Sequence, residues 1–375
     1  FVTTPDAKGL VQPHHPLYRG VFGFAGHLSA QKALRDGVDL VLAIGTSLGE
    51  WTSGAWSDSV LNQRLVHIDA TDEHLLRSPM ARQHVRGRIR TVFERLLDMM
   101  HIEQAALGLP WAGADMGRVR FAANAADKVH LAEPDKVHAD DTPIKPQRLM
   151  AELSRRFPPT TRFVADAGNS TAWAIHYLEL RNRRMGLVPV ASVGGAEGAE
   201  PSPTPTAVAQ QLQRRGERRQ DHAGWLRVLM DFAPMGWAIG AAVGIARGKP
   251  DCPVVCITGD GSYLMNGQEI TVAAQEGLNV IFVILNDAAL GMVKHGQRLA
   301  GAEQVAFELP QINYAAMAHA MGIAGHVIES PEDFAALDME SILKRQGPTL
   351  LDIRIDGEEV PPMSLRMQTL DSIQD

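Results

Sequence analysis

Two aspartates and the small residues around them carry the clearest chemistry in this sequence. Asp260 stands in Gly259-Asp260-Gly261-Ser262, at the end of the apolar run Pro253-Val254-Val255-Cys256-Ile257-Thr258. Asp287 follows Asn286 at the end of a second apolar run, Val280-Ile281-Phe282-Val283-Ile284-Leu285, and leads into Ala288-Ala289-Leu290-Gly291. A helix-like segment joins the two runs. Parallel strands joined through a helix end at the same edge of a sheet, where open α/β folds bind ligands. The two carboxylates therefore meet, although a whole helix separates them along the chain. Such a pair suits a hard cation, and Mg²⁺ commonly takes one or two carboxylates together with phosphate oxygens. Gly261 lets a ligand approach the backbone closely, and the helix beginning after it aims free N–H groups at an anion. These residues predict a magnesium diphosphate site.

The elements that must position these acids belong to a βα rhythm. Residues 38–45, an apolar run ending in Gly45, suit a buried parallel strand, and 64–69 form a second. Helical patterns cover 29–36 and 89–100. Residues 1–105 read as one unit. Residues 106–143, rich in Ala, Gly, Asp and Pro, read as a connector, and 144–375 as a second unit. There a helix is predicted to 156, followed by strands at 162–166, 253–258, 279–285 and 349–355; Pro361-Pro362 ends regular structure. Strands alternating with helices predict an α/β chain with two doubly wound parallel-sheet domains. Residues 187–223 break the rhythm with Gly194-Gly195, a Ser/Pro/Thr run and the cluster Arg214-Arg215-Gly216-Glu217-Arg218-Arg219. Their composition buries too little apolar surface to offset ordering entropy. A disordered insertion or sequence irregularity is favoured there over a basic docking loop.

Composition narrows the classes. The 375 residues, 45% hydrophobic and 21% charged, are globular and sufficient for two or three domains. A net charge of −7 argues against a nucleic-acid binder. No apolar run reaches the roughly 18 residues of a membrane-spanning helix. The opening Phe1-Val2-Thr3-Thr4-Pro5 has neither an initiator Met nor a leader pattern and reads like the middle of a longer chain. Cys252 and Cys256 are either a redox pair or two small buried hydrophobes, with the second reading favoured. A reducing, cytoplasmic compartment is the default.

Gly259-Asp260-Gly261 and Asn286-Asp287, at this spacing, resemble the signature of thiamine diphosphate enzymes, which begins Gly-Asp-Gly and closes Asn-Asn. The resemblance implies that Asp260 and Asp287 ligate Mg²⁺ through their side chains and Ala289 through its carbonyl. Gly259, Gly261 and Ser262 would then lie at the diphosphate. Asp287 departs from the usual second Asn and adds negative charge there. Residues 231–242 resemble the segment before the signature. Met235 would sit under the cofactor and hold its bent shape, unless it is plain core packing, and the Ala233 carbonyl would accept from the aminopyrimidine. The stretch 166–173 resembles the loop holding the other side of the diphosphate through Gly168, Asn169 and Ser170; Asn169 and Ser170 serve equally well as an ordinary helix N-cap. Gly291-Met292-Val293-Lys294-His295-Gly296-Gln297 is similar to the Gly-Met-Val stretch of acetolactate synthase large subunits. It implies that Met292 and His295 face substrate, with Met292 also at the cofactor. Gly296 replaces a bulky aromatic.

Residues 7–9, 15–17 and 20–26 resemble the family's Rossmann-like central domain, which holds FAD in acetolactate synthase but not in all relatives. Gly20, Gly23 and Gly26 do not follow a strand as a dinucleotide fingerprint would, so FAD stays open. The resemblance covers the chain apart from 187–223. It implies a Mg²⁺- and thiamine diphosphate-dependent decarboxylating carboligase, joining a unit from pyruvate to a second 2-oxo acid. The alternatives are a 2-oxo acid decarboxylase, a non-catalytic binding subunit and a nicotinamide-dependent oxidoreductase. In the family the activating glutamate lies in a pyrimidine-binding domain before the central one. No residue here takes that role, so the catalytic residue is unassigned. The chain is expected to be a fragment, to need a partner, or to be inactive. Family active sites lie between subunits, which implies a homodimer or homotetramer, with no nucleic-acid or membrane partner.

Overall fold

The computed structural model describes residues 1–11, 13, 15, 17–35, 38–106, 129–180 and 225–363. Two compact units emerge, one made of Phe1–Pro5, Pro16–Ala132 and Pro362–Asp375, the other of Asp6–His15 and Glu133–Pro361. The stretch 187–223 lies outside the described residues, as does most of 106–143 up to residue 128.

The first unit holds a three-stranded parallel sheet, in the order β1 (Val41–Ile44), β2 (Leu65–Asp69), β3 (Gln83–Arg86). Helices Leu28–Arg35 and Ile89–Ala106 fall on the predicted helical stretches, residue 36 of the first lying outside the described residues. Val41 and Ala43 of β1 join a core with Phe22, Ala30, Leu48, Val60, Leu61 and Leu65. The alternate residues Leu42 and Ile44 are 49% and 42% exposed. β3 was not expected, because its residues are polar and mostly exposed.

The second unit is built on six parallel strands, β4 (Arg162–Ala165), β5 (Trp225–Arg227), β6 (Val254–Gly259), β7 (Val280–Asn286), β8 (Ala324–Ile328) and β9 (Thr349–Arg354). Their order across the sheet is β5-β4-β6-β7-β9-β8. All seven residues of β7 are buried, which explains its unbroken apolar run: a parallel strand covered on both faces has no polar side. Helix Trp237–Gly248 packs Ala238, Ile239, Ala242 and Ala246 into the same core as Val254, Cys256, Val280 and Phe282. Both cysteines are buried and neither is in a disulfide, and burial pushes the Cys256 thiol well above its usual pKa. That suits the small-hydrophobe reading. The strands at β5 and β8 lie outside the sequence expectations.

The strand order fixes where a ligand can enter. From β4 the chain moves outward to β5, then returns past β4 to β6 and continues to β7 on the other side. The connections after β4 and β6 therefore diverge, and such a switch point leaves a crevice at the C-terminal ends of the two strands. Among the described residues, no helix is long and apolar enough to cross a membrane.

Candidate functional site

β6 runs directly into helix Asp260–Asn266, with Gly259 as the extended residue before it and Asp260 as the first helical residue. One oxygen of the buried Asp260 carboxylate, Oδ1, accepts from the Gly261 N–H at 2.7 Å. The other, Oδ2, is buried without a hydrogen-bond partner. Burial raises its pKa to about 6, against the pull of backbone groups at Gly261 and 287–289. A buried acceptor with no donor is costly, so this oxygen marks either stored strain or a missing ligand.

β7 delivers the second acid. Its last residue, Asn286, is locked by its amide nitrogen, which donates to Asp352 Oδ1 at 2.7 Å and to the Ile312 carbonyl at 3.1 Å. Asp287 follows. Its pKa rises to about 7, first through burial and then through the charge of Asp260, while Lys294 opposes the rise. The two carboxylates thus sense one another, as the strand geometry demands. Ala288 adopts a left-handed φ of 53°. This turn is stitched to a neighbouring segment, with Leu290 N–H donating to the Phe307 carbonyl and Leu309 N–H to that of Ala288. Backbone groups at Ala289 stabilise the charged forms of both acids.

The third side comes from β4. Gly168, with φ 103°, precedes helix Asn169–Tyr177, and no side chain caps that helix. Neither Asn169 nor Ser170 is an N-cap, so that reading is corrected. The Ser170 hydroxyl instead donates back to the Asp166 carbonyl at 2.8 Å. Asn169 Oδ1 is buried without a partner. A Cβ on Gly291 would stand 2.5 Å from Asn169 Nδ2 and 3.2 Å from Asp287 Oδ2. Gly291 is therefore the gap across which the Asn169 amide and the Asp287 carboxylate face each other. A Cβ on Gly357 would come within 3.0 Å of Asp287 Cβ, so a second glycine backs the same acid.

Gly261 forms the apolar boundary. A Cβ there would meet Leu290 Cδ2 at 2.5 Å, Met235 Cε at 3.4 Å and Leu309 Cδ1 at 3.5 Å. Met235 is 37% exposed, so it is not core packing, and Ala233 is exposed beside it. Ser262 is buried, its hydroxyl 3.4 Å from the Ala167 carbonyl. On helix Gly291–Leu299, Met292 is half-buried while His295 is fully buried, with both ring nitrogens lacking a hydrogen-bond partner and burial lowering its pKa.

The structure thus brings Asp260, Asp287, Asn169, Met235 and Gly261 to one crevice, whereas His295 is buried on helix Gly291–Leu299. Among the described residues, no group of three or more His, Cys, Asp or Glu side chains could hold a metal by itself. A partnerless carboxylate oxygen on Asp260, the half-buried acid Asp287 and a partnerless amide oxygen on Asn169 suit a hard cation sharing oxygens with its ligand. Leu290, Leu309, Gly291 and Gly357 were not singled out from sequence. The two glycines could have been suspected from their closeness to chemistry-bearing residues, but the leucines carry no such signal.

Two family models match this chain. "Thiamine pyrophosphate enzyme, central domain" covers residues 1–96, and "Thiamine pyrophosphate enzyme, C-terminal TPP binding domain" covers 207–353. The chain belongs to the thiamine pyrophosphate enzymes. The second match begins inside the 187–223 stretch left out of the sequence resemblance. A Mycobacterium tuberculosis protein provisionally named an acetolactate synthase large subunit is 28% identical over 369 residues, 96% of this chain and 55% of its own length. The acetolactate synthase isozyme 2 large subunit of Escherichia coli is 24% identical, over 99% of this chain and 58% of its own length. The isozyme 1 large subunit is also 24% identical, over 95% and 55%. The chain therefore spans little more than half the length of these relatives.

Proposed function

We propose that this chain carries the diphosphate- and magnesium-binding half of a decarboxylating carboligase of the acetolactate synthase type, acting on pyruvate and a second 2-oxo acid. The observation that carries this reading is the buried, partnerless Asp260 Oδ2, set at the switch point with Asp287 and Asn169. The names of the relatives support the reaction class.

In this reading Asp260 and Asp287 hold Mg²⁺ through their carboxylates and Ala289 through its carbonyl. Gly168, Asn169, Ser170, Gly259, Gly261 and Ser262 border the diphosphate. The start of helix Asp260–Asn266 supplies backbone N–H groups, and the metal charge offsets the two acids, which burial alone would tend to protonate. Ala233 and Met235 seat the thiamine end, with Met292 nearby. Leu290 and Leu309 exclude water from Gly261. When bound, thiamine diphosphate supplies the carbon nucleophile for the keto group of the substrate. The group that activates it belongs, in this proposal, to a part of the enzyme or a subunit beyond these residues, in keeping with a homodimer. FAD in the central domain stays an open part of the same proposal.

The test is product analysis of the intact protein with pyruvate, thiamine diphosphate and Mg²⁺. Acetohydroxy acid formed together with CO₂ is the expected result. CO₂ accompanied by free aldehyde indicates the decarboxylase, and cofactor binding with no product indicates a binding subunit.

A further inference from the structure

Asp166 directly follows β4. Its side chain is fully buried, and its hydrogen bonds come from three separate segments of the crevice. The Gly236 N–H donates to both carboxylate oxygens, at 3.0 and 3.1 Å. The Thr258 hydroxyl, from the residue of β6 just before Gly259, donates to Oδ2 at 2.8 Å. The Ala167 N–H donates to Oδ1 at 2.9 Å. Gly236 is held from its other side as well: the Asn266 amide donates to its carbonyl at 3.3 Å. Gly236 has φ 89°, and a Cβ on it would lie 2.8 Å from Asn266 Cβ. The turn that presents Met235 toward Gly261 is thus clamped between a buried carboxylate on β4 and the end of the signature helix. Met235 itself makes no such bond; its place is inherited from Gly236.

We infer that Asp166 is a positioning residue that sets the Met235–Gly236 turn, and through it the seat of the thiamine end of the cofactor, independently of the diphosphate end. The division follows from the bonding. Asp260, Asp287 and Asn169 stand on the strand ends and the helix start, whereas Met235 sits on a turn whose backbone anchors are Asp166 and Asn266. The inference rests on the cofactor reading proposed above. An Asn at 166 keeps the arrangement, because its oxygen can accept from Gly236 and Ala167 while its amide donates to Thr258. An Ala removes every acceptor.

The experiment measures, by calorimetry on the intact protein with excess Mg²⁺, the affinities for thiamine diphosphate and for inorganic pyrophosphate. For Asp166→Ala the thiamine diphosphate affinity should fall tenfold or more while pyrophosphate changes less than about twofold; Asp166→Asn should stay within about threefold for both. Equal losses for the two ligands, or Asp166→Asn as damaging as Asp166→Ala, overturn the positioning role. Wild-type protein that binds pyrophosphate and thiamine diphosphate equally well also overturns it, while leaving the metal site standing. Wild-type protein that binds neither removes the cofactor reading and this inference together. If Asp166→Ala does not melt cooperatively, Gly236→Ala carries the same test. It displaces the turn with Asp166 intact, and it must reproduce the split between the two ligands for the inference to survive.

Discussion

The crevice holds two buried aspartates at the ends of neighbouring strands, and they face opposite situations. Burial raises both Asp166 and Asp260 to a pKa of about 6. Asp166, after β4, is surrounded by donors from Gly236, Thr258 and Ala167. Asp260, after β6, has one oxygen on the Gly261 N–H and the other with none. A satisfied buried acid holds structure together. An unsatisfied one lowers the stability of the ligand-free protein and is kept for what it binds. The same residue type at adjacent strand ends thus does two jobs, and the difference lies wholly in the partners the fold brings to it.

Mutating each acid should move stability in opposite directions. Asp166→Ala leaves the Gly236 and Ala167 N–H groups and the Thr258 hydroxyl without their acceptor. At about 1 kcal/mol or more for each stranded group, it should destabilise the protein by on the order of 3 kcal/mol in urea denaturation. Asp260→Asn, without metal at pH 8, should instead stabilise by about 3 kcal/mol, because it removes a charge whose burial raises the carboxyl pKa from the usual range to about 6. A loss of stability in Asp260→Asn would erase the contrast.

A pH series sharpens the comparison. A carboxyl whose pKa is raised on folding binds more protons in the native state than in the unfolded one, so stability falls as pH rises between the two values. For Asp260, raised to about 6, and Asp287, raised to about 7, the fall spans pH 4 to 7. The Asp260→Asn, Asp287→Asn double variant should flatten that slope in thermal melts of metal-free protein, and an unchanged slope would count against the burial argument. The smallest effect is expected of Thr258→Val, which removes one hydrogen bond to Asp166 while leaving the N–H donors in place. Its cost should be about 1 kcal/mol, and a cost matching that of Asp166→Ala would mean that the backbone donors contribute nothing.

The central strands were plain in the sequence, and of the edge strands only β1 was, through its apolar run. β4, β6, β7 and β9 read directly as apolar runs because both faces of each are covered. β3, β5 and β8, which were not expected, all lie at sheet edges. They pair through backbone groups that any residue supplies, so Gln83-His84-Val85-Arg86 or the three residues Trp225–Arg227 show no side-chain pattern. At the site, Asp260 and Asp287 were legible because strand and helix periodicity alone forces their meeting. Asp166 was not, since its partners Gly236 and Thr258 lie far along the chain and only the β5-β4-β6 order makes them neighbours. Asn169 and Ser170 stayed ambiguous for a related reason: a small polar residue after a glycine fits a cap and a ligand pocket equally, and only the helix start at Gly168 separates the two.

The central claim is that the acids after β6 and β7 share a cation that anchors a diphosphate. Calorimetric titration of the intact protein with thiamine diphosphate and Mg²⁺, set against an Asp260→Ala, Asp287→Ala variant that melts cooperatively, tests it most directly. Saturable heat in the wild type, with affinity at least about a hundredfold weaker in the variant, equivalent to roughly 3 kcal/mol, is the predicted result. Equal heats and affinities for the two proteins would contradict it.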